Sequence, residues 1–136
     1  MEIREELLLE VLKRVQRNYV RVVEIERITK ELGDALSRND QESAQLLVKM
    51  RQDEMDHISE MKQEIRLLVE SSAPEEKRML ISWLAGKNEY QPDSFEAKKL
   101  LELSGQMQQV LSRTIAIDKA INKKLAGKDS FYHTAS

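Results

Sequence analysis

Glu54 and His57 stand three residues apart, the Glu-x-x-His step by which helical bundles hold a di-iron centre. Such a centre takes two of these steps and two further glutamates, all directed inward. The other histidine, His133, has Ser130 three places before it, so the ligand set is incomplete. His57 alone has the chemistry of a phosphoacceptor on a helical bundle. A single histidine among Asp53, Glu54, Asp56 and Glu60 reads more simply as a solvated side chain. The chain contains no cysteine, which excludes thiolate metal ligation and disulfides. It shows no glycine-rich phosphate loop and no serine nucleophile with a histidine partner. Lys119, Lys123, Lys124 and Lys128 gather late in the chain, where cations complement a helix C-terminus. Aromatic residues that would stack bases do not interleave them. The expectation is a protein with no catalytic residues, no metal and no cofactor.

The elements carrying these residues are helices. Leu8, Val11, Val15, Val22, Ile25, Leu32 and Leu36 follow three- and four-residue steps, and Ala44, Leu47, Ile58, Met61, Ile65 and Leu68 do the same. Each set marks one stripe of an α-helix. Between them lies the turn Ser37-Arg38-Asn39-Asp40, so residues 3–37 and 40–71 are expected to form an antiparallel hairpin with facing stripes. Leu7, Leu12 and Tyr19 widen the first stripe enough to touch two neighbours. Gly33 stays within helix one, because Leu36 keeps phase with Leu32. Asn39 is expected as the N-cap of helix two, with Glu42 completing a capping box. Arg51 and Glu54 interrupt the second stripe near the expected level of Val22, Ile25 and Glu26, as a polar layer that fixes register.

A third, short helix is expected over 73–85, started by Ser72, Pro74 and Glu75 and stopped by Gly86. Its apolar face is Met79, Leu80, Trp83 and Leu84, with Trp83 plugging one end of the hairpin. A fourth helix is expected over 94–126, opened by Asp93 and Glu96 and ended by Gly127, with 127–136 as a tail. Its stripe is Leu100, Leu103, Met107, Val110, Thr114, Ile117 and Ile121, thickened by Leu111 and Leu125. This helix either completes the bundle or offers its stripe to another helix. The fold class is all-α: one elongated, coiled-coil-like domain.

Composition agrees. Charged residues make up 34% of the chain and aromatics 4%, the balance of long helices rather than of a compact enzyme core. Twenty-two basic residues against 24 acidic ones leave no field favouring nucleic acid. No uncharged apolar run reaches the ~20 residues of a membrane span. Glu2, Glu5 and Glu6 occupy the place where a secretory signal needs basic residues. The expectation is a soluble, cytoplasmic protein without membrane insertion.

Three stretches resemble the flagellar export chaperones of the FlgN type. They are Leu32-Gly33-Asp34-Ala35-Leu36 leading into Asn39-Asp40, then Leu46-Leu47-Val48-Lys49-Met50-Arg51-Gln52, and Ala126-Gly127-Lys128-Asp129-Ser130-Phe131-Tyr132. The resemblance covers most of the chain. It implies a non-enzymatic chaperone that binds the C-terminal helices of hook-filament junction proteins, prevents their premature assembly and delivers them to the membrane export gate. By position it implies cargo binding by Leu103, Met107, Val110, Leu111, Ile117 and Ile121, and export-gate docking by Phe131 or Tyr132. The alternative from the residues themselves is a self-associating helical scaffold or adaptor, whose fourth helix completes a homodimer core.

Overall fold

The structure is a computed structural model that describes the backbone of residues 2–135 and the side chains of residues 2–125. It contains four helices: α1 (Glu5–Ser37), α2 (Gln41–Glu70), α3 (Pro74–Leu84) and α4 (Phe95–Ala135). Helix α1 is central. Asn18 meets Ile58, Arg21 meets Glu54 and Arg14 meets Glu64, so residue numbers fall along α2 as they rise along α1. The two are antiparallel, as the facing stripes require. Glu26 meets Arg113 and Gly33 faces Ile121, so α4 runs parallel to α1. Helix α3 crosses one end of the hairpin and turns the chain back for α4.

The hydrophobic core is deepest at the α3 end. Leu8, Val11 and Val15 of α1 meet Val69 of α2, Leu80 and Trp83 of α3, and Leu100 and Leu103 of α4. The broadened α1 stripe is used as its width suggests: Leu7 and Leu12 are buried and Tyr19 is half-buried. Trp83 is the plug its position implied, 1% exposed, its indole N–H donating to the Tyr90 carbonyl at 2.8 Å. Midway, Val22 and Ile25 pack with Ile58 and Val110. Toward the turn, the buried cluster of Ile28, Leu32, Ala35, Ala44 and Leu47 comes from α1 and α2 alone. The core thus thins from four helices to two.

The N-caps of α2, α3 and α4 each lie one residue beyond their expected place, for a local reason. Asn39 is not the N-cap of α2. Its φ of 59° puts it in the left-handed region, where the Asp40 N–H reaches back to the Ala35 carbonyl and the Asn39 N–H to that of Leu36. That pattern closes α1, and asparagine tolerates it better than most side chains. Asp40 caps α2 instead, accepting from the Ser43 N–H at 3.1 Å and its hydroxyl at 2.7 Å, and Glu42 closes no capping box. At α3 the cap is Ala73, not Ser72, because a residue preceding proline is driven to extended backbone. Glu76, rather than Glu75, then accepts the Ala73 N–H at 3.0 Å. At α4 Ser94, not Asp93, accepts the Ala97 N–H. Gly86 does stop α3, at a φ of 73°.

Glu76 is also the lock of the α3 end. It is 5% exposed and accepts the Arg4 N–H at 3.0 Å, the Arg4 Nε at 2.9 Å and the Arg4 Nη2 at 3.1 Å. Hydrogen bonds from the Arg4 guanidinium, opposed by burial, pull its carboxyl down to about 2. Helix α4 continues through Gly127 to Ala135, where an end was expected. A lone glycine costs a helix about 1 kcal/mol relative to alanine and does not by itself stop one.

Candidate functional site

Helices α2 and α4 both pack closely along α1, while among the described residues their own backbones stay farther apart. Between them runs a trough floored by Val22, Ile25, Thr29 and Leu32 of α1, with Leu84 of α3 near one end. The α2 wall is Val48, Arg51, Met55 and Lys62, residues whose spacing keeps them on one helical face. The α4 wall is Met107, Leu111, Ile115, Asp118 and Asn122. Val48, Met55, Leu111 and Ile115 leave between 36% and 55% of their surface in solvent, all along this lane. Singly, exposed apolar side chains are ordinary; here they are aligned on two facing walls as one continuous lane.

Arg51 divides the trough. Its Nη1 donates to Asp118 Oδ1 at 3.0 Å on the opposite wall and to Thr29 Oγ1 at 3.3 Å on the floor. Thr29 is fully buried, and its own hydroxyl donates to the Ile25 carbonyl at 2.7 Å. The chamber on the α3 side of this bridge holds about 530 Å³ and the one on the turn side about 400 Å³. Helix α4 is held to α1 outside the trough at two further points. Glu26 accepts from Arg113 Nε at 2.9 Å, a hydrogen bond that keeps the Glu26 carboxyl below the ordinary carboxylate range. Farther along, Ile121 lies so close to Gly33 that a Cβ there would stand 3.1 Å from its terminal methyl. Gly33 is therefore a point of helix contact as well as an interruption in α1.

The arrangement has the geometry of a helical bundle one helix short: three helices and a lane that is mostly apolar, with Arg51, Lys62 and Asp118 set into its walls. Ridges of a fourth helix fit such lanes, and helix-in-groove recognition uses them.

The cargo residues implied by resemblance do not form one surface. Leu103 and Val110 are buried in the bundle core, at 6% and 3% exposure, because α4 turns its regular stripe onto α1. Met107 and Leu111 line the trough. Ile117 and Ile121 are half-buried and line a hollow on the other flank of α4, beside Lys30 and Gly33, with Ile121 also reaching the trough's turn end. Phe131 and Tyr132 lie outside the residues whose side chains are described. Sequence reasoning did not single out Met55, Ile115 or Asp118 as a site. The signal for them is a second stripe beside each heptad stripe, of which the sequence reading names Leu111 as thickening of the α4 stripe and as a cargo residue implied by the resemblance.

The Arg51 and Glu54 layer separates into two contacts. Glu54 accepts from Arg21 Nη1 at 3.1 Å within the hairpin, while Arg51 joins Thr29 of the hairpin to Asp118 of α4. His57 is exposed, with its Nδ1 2.7 Å from the Asp53 carbonyl, and does not converge with Glu54 on a common site. Among the described residues no group of three metal-capable side chains occurs, and no helix is long and apolar enough to cross a membrane. Compared with known proteins, the chain matches no protein-family model, no curated protein and no solved structure.

Proposed function

We propose that this protein is a non-enzymatic, helix-binding chaperone of the flagellar export type. It takes an amphipathic C-terminal helix of a hook-filament junction protein into the trough between α2 and α4, keeps it from assembling early, and releases it at the export gate. The trough supports this reading: α1 already serves as the floor, so a client helix need only supply the missing fourth member. A client that will later pack into a filament carries an apolar stripe beforehand, and such a stripe aggregates unless covered. Within this reading the client contacts are Met107, Leu111, Ile115 and Met55 on the two walls. Leu103 and Val110 act from beneath, by seating α4.

The test is binding of labelled C-terminal peptides from hook-filament junction proteins, followed by fluorescence anisotropy. The expected result is saturable binding by the wild-type chain. Its loss is expected in a Leu111→Asp, Ile115→Asp double variant that keeps its helical circular dichroism. Undiminished binding by that folded variant would remove the trough from the argument. Self-association, with a second copy in place of the client, is the competing use of the same surface. Sedimentation that shows a concentration-dependent homodimer, dissociated by the same double substitution and unaffected by peptide, would favour it.

A further inference from the structure

Resting on the trough as a helix-binding site, we infer that its occupant is an amphipathic helix whose apolar stripe is broken once, near mid-length, by a carboxylate that meets Arg51. The argument is one of charge. The trough surface carries Arg51 and Lys62 against a single carboxylate, Asp118, so one positive charge is in excess. Lys62 forms no ion pair with any carboxylate among the described residues. Arg51 lies deep, at 19% side-chain exposure, and reaches the floor at Thr29.

Only its Nη1 is engaged; Nε and Nη2 donate to no acceptor among the described residues. A guanidinium offers five N–H donors in a fixed fork. Covering the trough with an unbroken apolar stripe would bury those donors unmatched, a large desolvation cost. A carboxylate on the incoming helix satisfies them in bidentate fashion and balances the excess charge. Because Arg51 stands between two apolar chambers, the carboxylate also fixes where along the lane the helix sits. A single buried polar residue sets register in coiled coils by the same logic. Asp118 is 42% exposed on the wall and can yield Arg51 to the newcomer at little loss.

The probes are three synthetic helical peptides of about 24 residues, long enough to span both chambers at ~1.5 Å per residue. They share one Leu/Ile stripe and differ at its midpoint: glutamate, glutamine or leucine. Central placement makes the test independent of the direction in which the peptide runs. Anisotropy at neutral pH is expected to show the glutamate peptide bound at least about tenfold more tightly than the leucine peptide, with glutamine between. In Arg51→Met that order is expected to collapse or invert. In Asp118→Asn, a change on an exposed side chain, the glutamate peptide is expected to bind more tightly still, because Arg51 has lost its resident partner. Equal affinities in the wild-type chain, or a glutamate preference that survives in Arg51→Met, would overturn this inference and leave the helix-binding site standing. Binding of none of the three peptides would overturn both.

Discussion

Replacing Glu76 by glutamine is expected to weaken the fold by about 1–2 kcal/mol at neutral pH and by almost nothing in strong acid. The carboxyl falls from its ordinary 4.5 to about 2 because the Arg4 guanidinium donates to it, with the backbone N–H groups of Arg4 and Ala73 adding their share. At ~1.36 kcal/mol per pKa unit, that fall corresponds to about 3 kcal/mol. Arg4 has a side chain 66% exposed, so solvent screens the pair and the smaller figure is the one expected. The sign follows from linkage. A carboxyl depressed in the folded chain stabilises it fully above the unfolded pKa of 4.5, and the benefit drains away as pH falls toward about 2. Urea denaturation of wild-type and Glu76→Gln chains, followed by helical circular dichroism, reads this directly. The gap between their unfolding free energies should be constant above about pH 5.5 and close progressively below pH 4.5. Equal stabilities at neutral pH, or a gap as wide at about pH 2.5 as at pH 7, would refute the claim that Glu76 works as an ion pair tying α3 to Arg4 at the start of α1.

Other outcomes follow from the same packing. Gly105→Ala should stabilise the chain by about 0.5–1 kcal/mol, since an added methyl meets nothing within 4 Å and helix propensity alone decides; a lower urea midpoint would contradict this. Gly33→Leu should push Ile121 off α1 and speed amide exchange over residues 117–125, while leaving the Trp83 end protected. Uniform exchange along α4 in that variant would show that the contact does not hold the distal half. Trp83→Ala should cost about 3–5 kcal/mol, as for a large core side chain truncated to alanine. In the wild-type chain, the emission of Trp83 should be blue-shifted and resist quenching by iodide, which an exposed indole would not.

The four helices and the pairing of the first two were legible because periodicity is a local property: a stripe at three- and four-residue steps has to find a partner wherever it lies. The breadth of the α1 stripe, through Leu7 and Leu12, even announced two neighbours. Helix ends were less legible, since a cap depends on the backbone angle of one residue. Ala73 became a cap through Pro74, and Asn39 became the end of α1 instead of the start of α2.

The candidate site was the least legible part. A heptad stripe says that Leu103 and Val110 will be covered, but not by what, and in the tertiary structure the cover is the chain's own α1. What the amino-acid order determined by itself was the helices, their apolar faces and the antiparallel hairpin, each settled by contacts close along the chain or by burial that any partner satisfies. That α4 would run parallel to α1 and leave a lane beside α2 bridged by Arg51 and Asp118 was decided by packing between residues 87 and 67 positions apart. Side chains that distant share no pattern in the sequence, and only the packing of the helices brings them within reach.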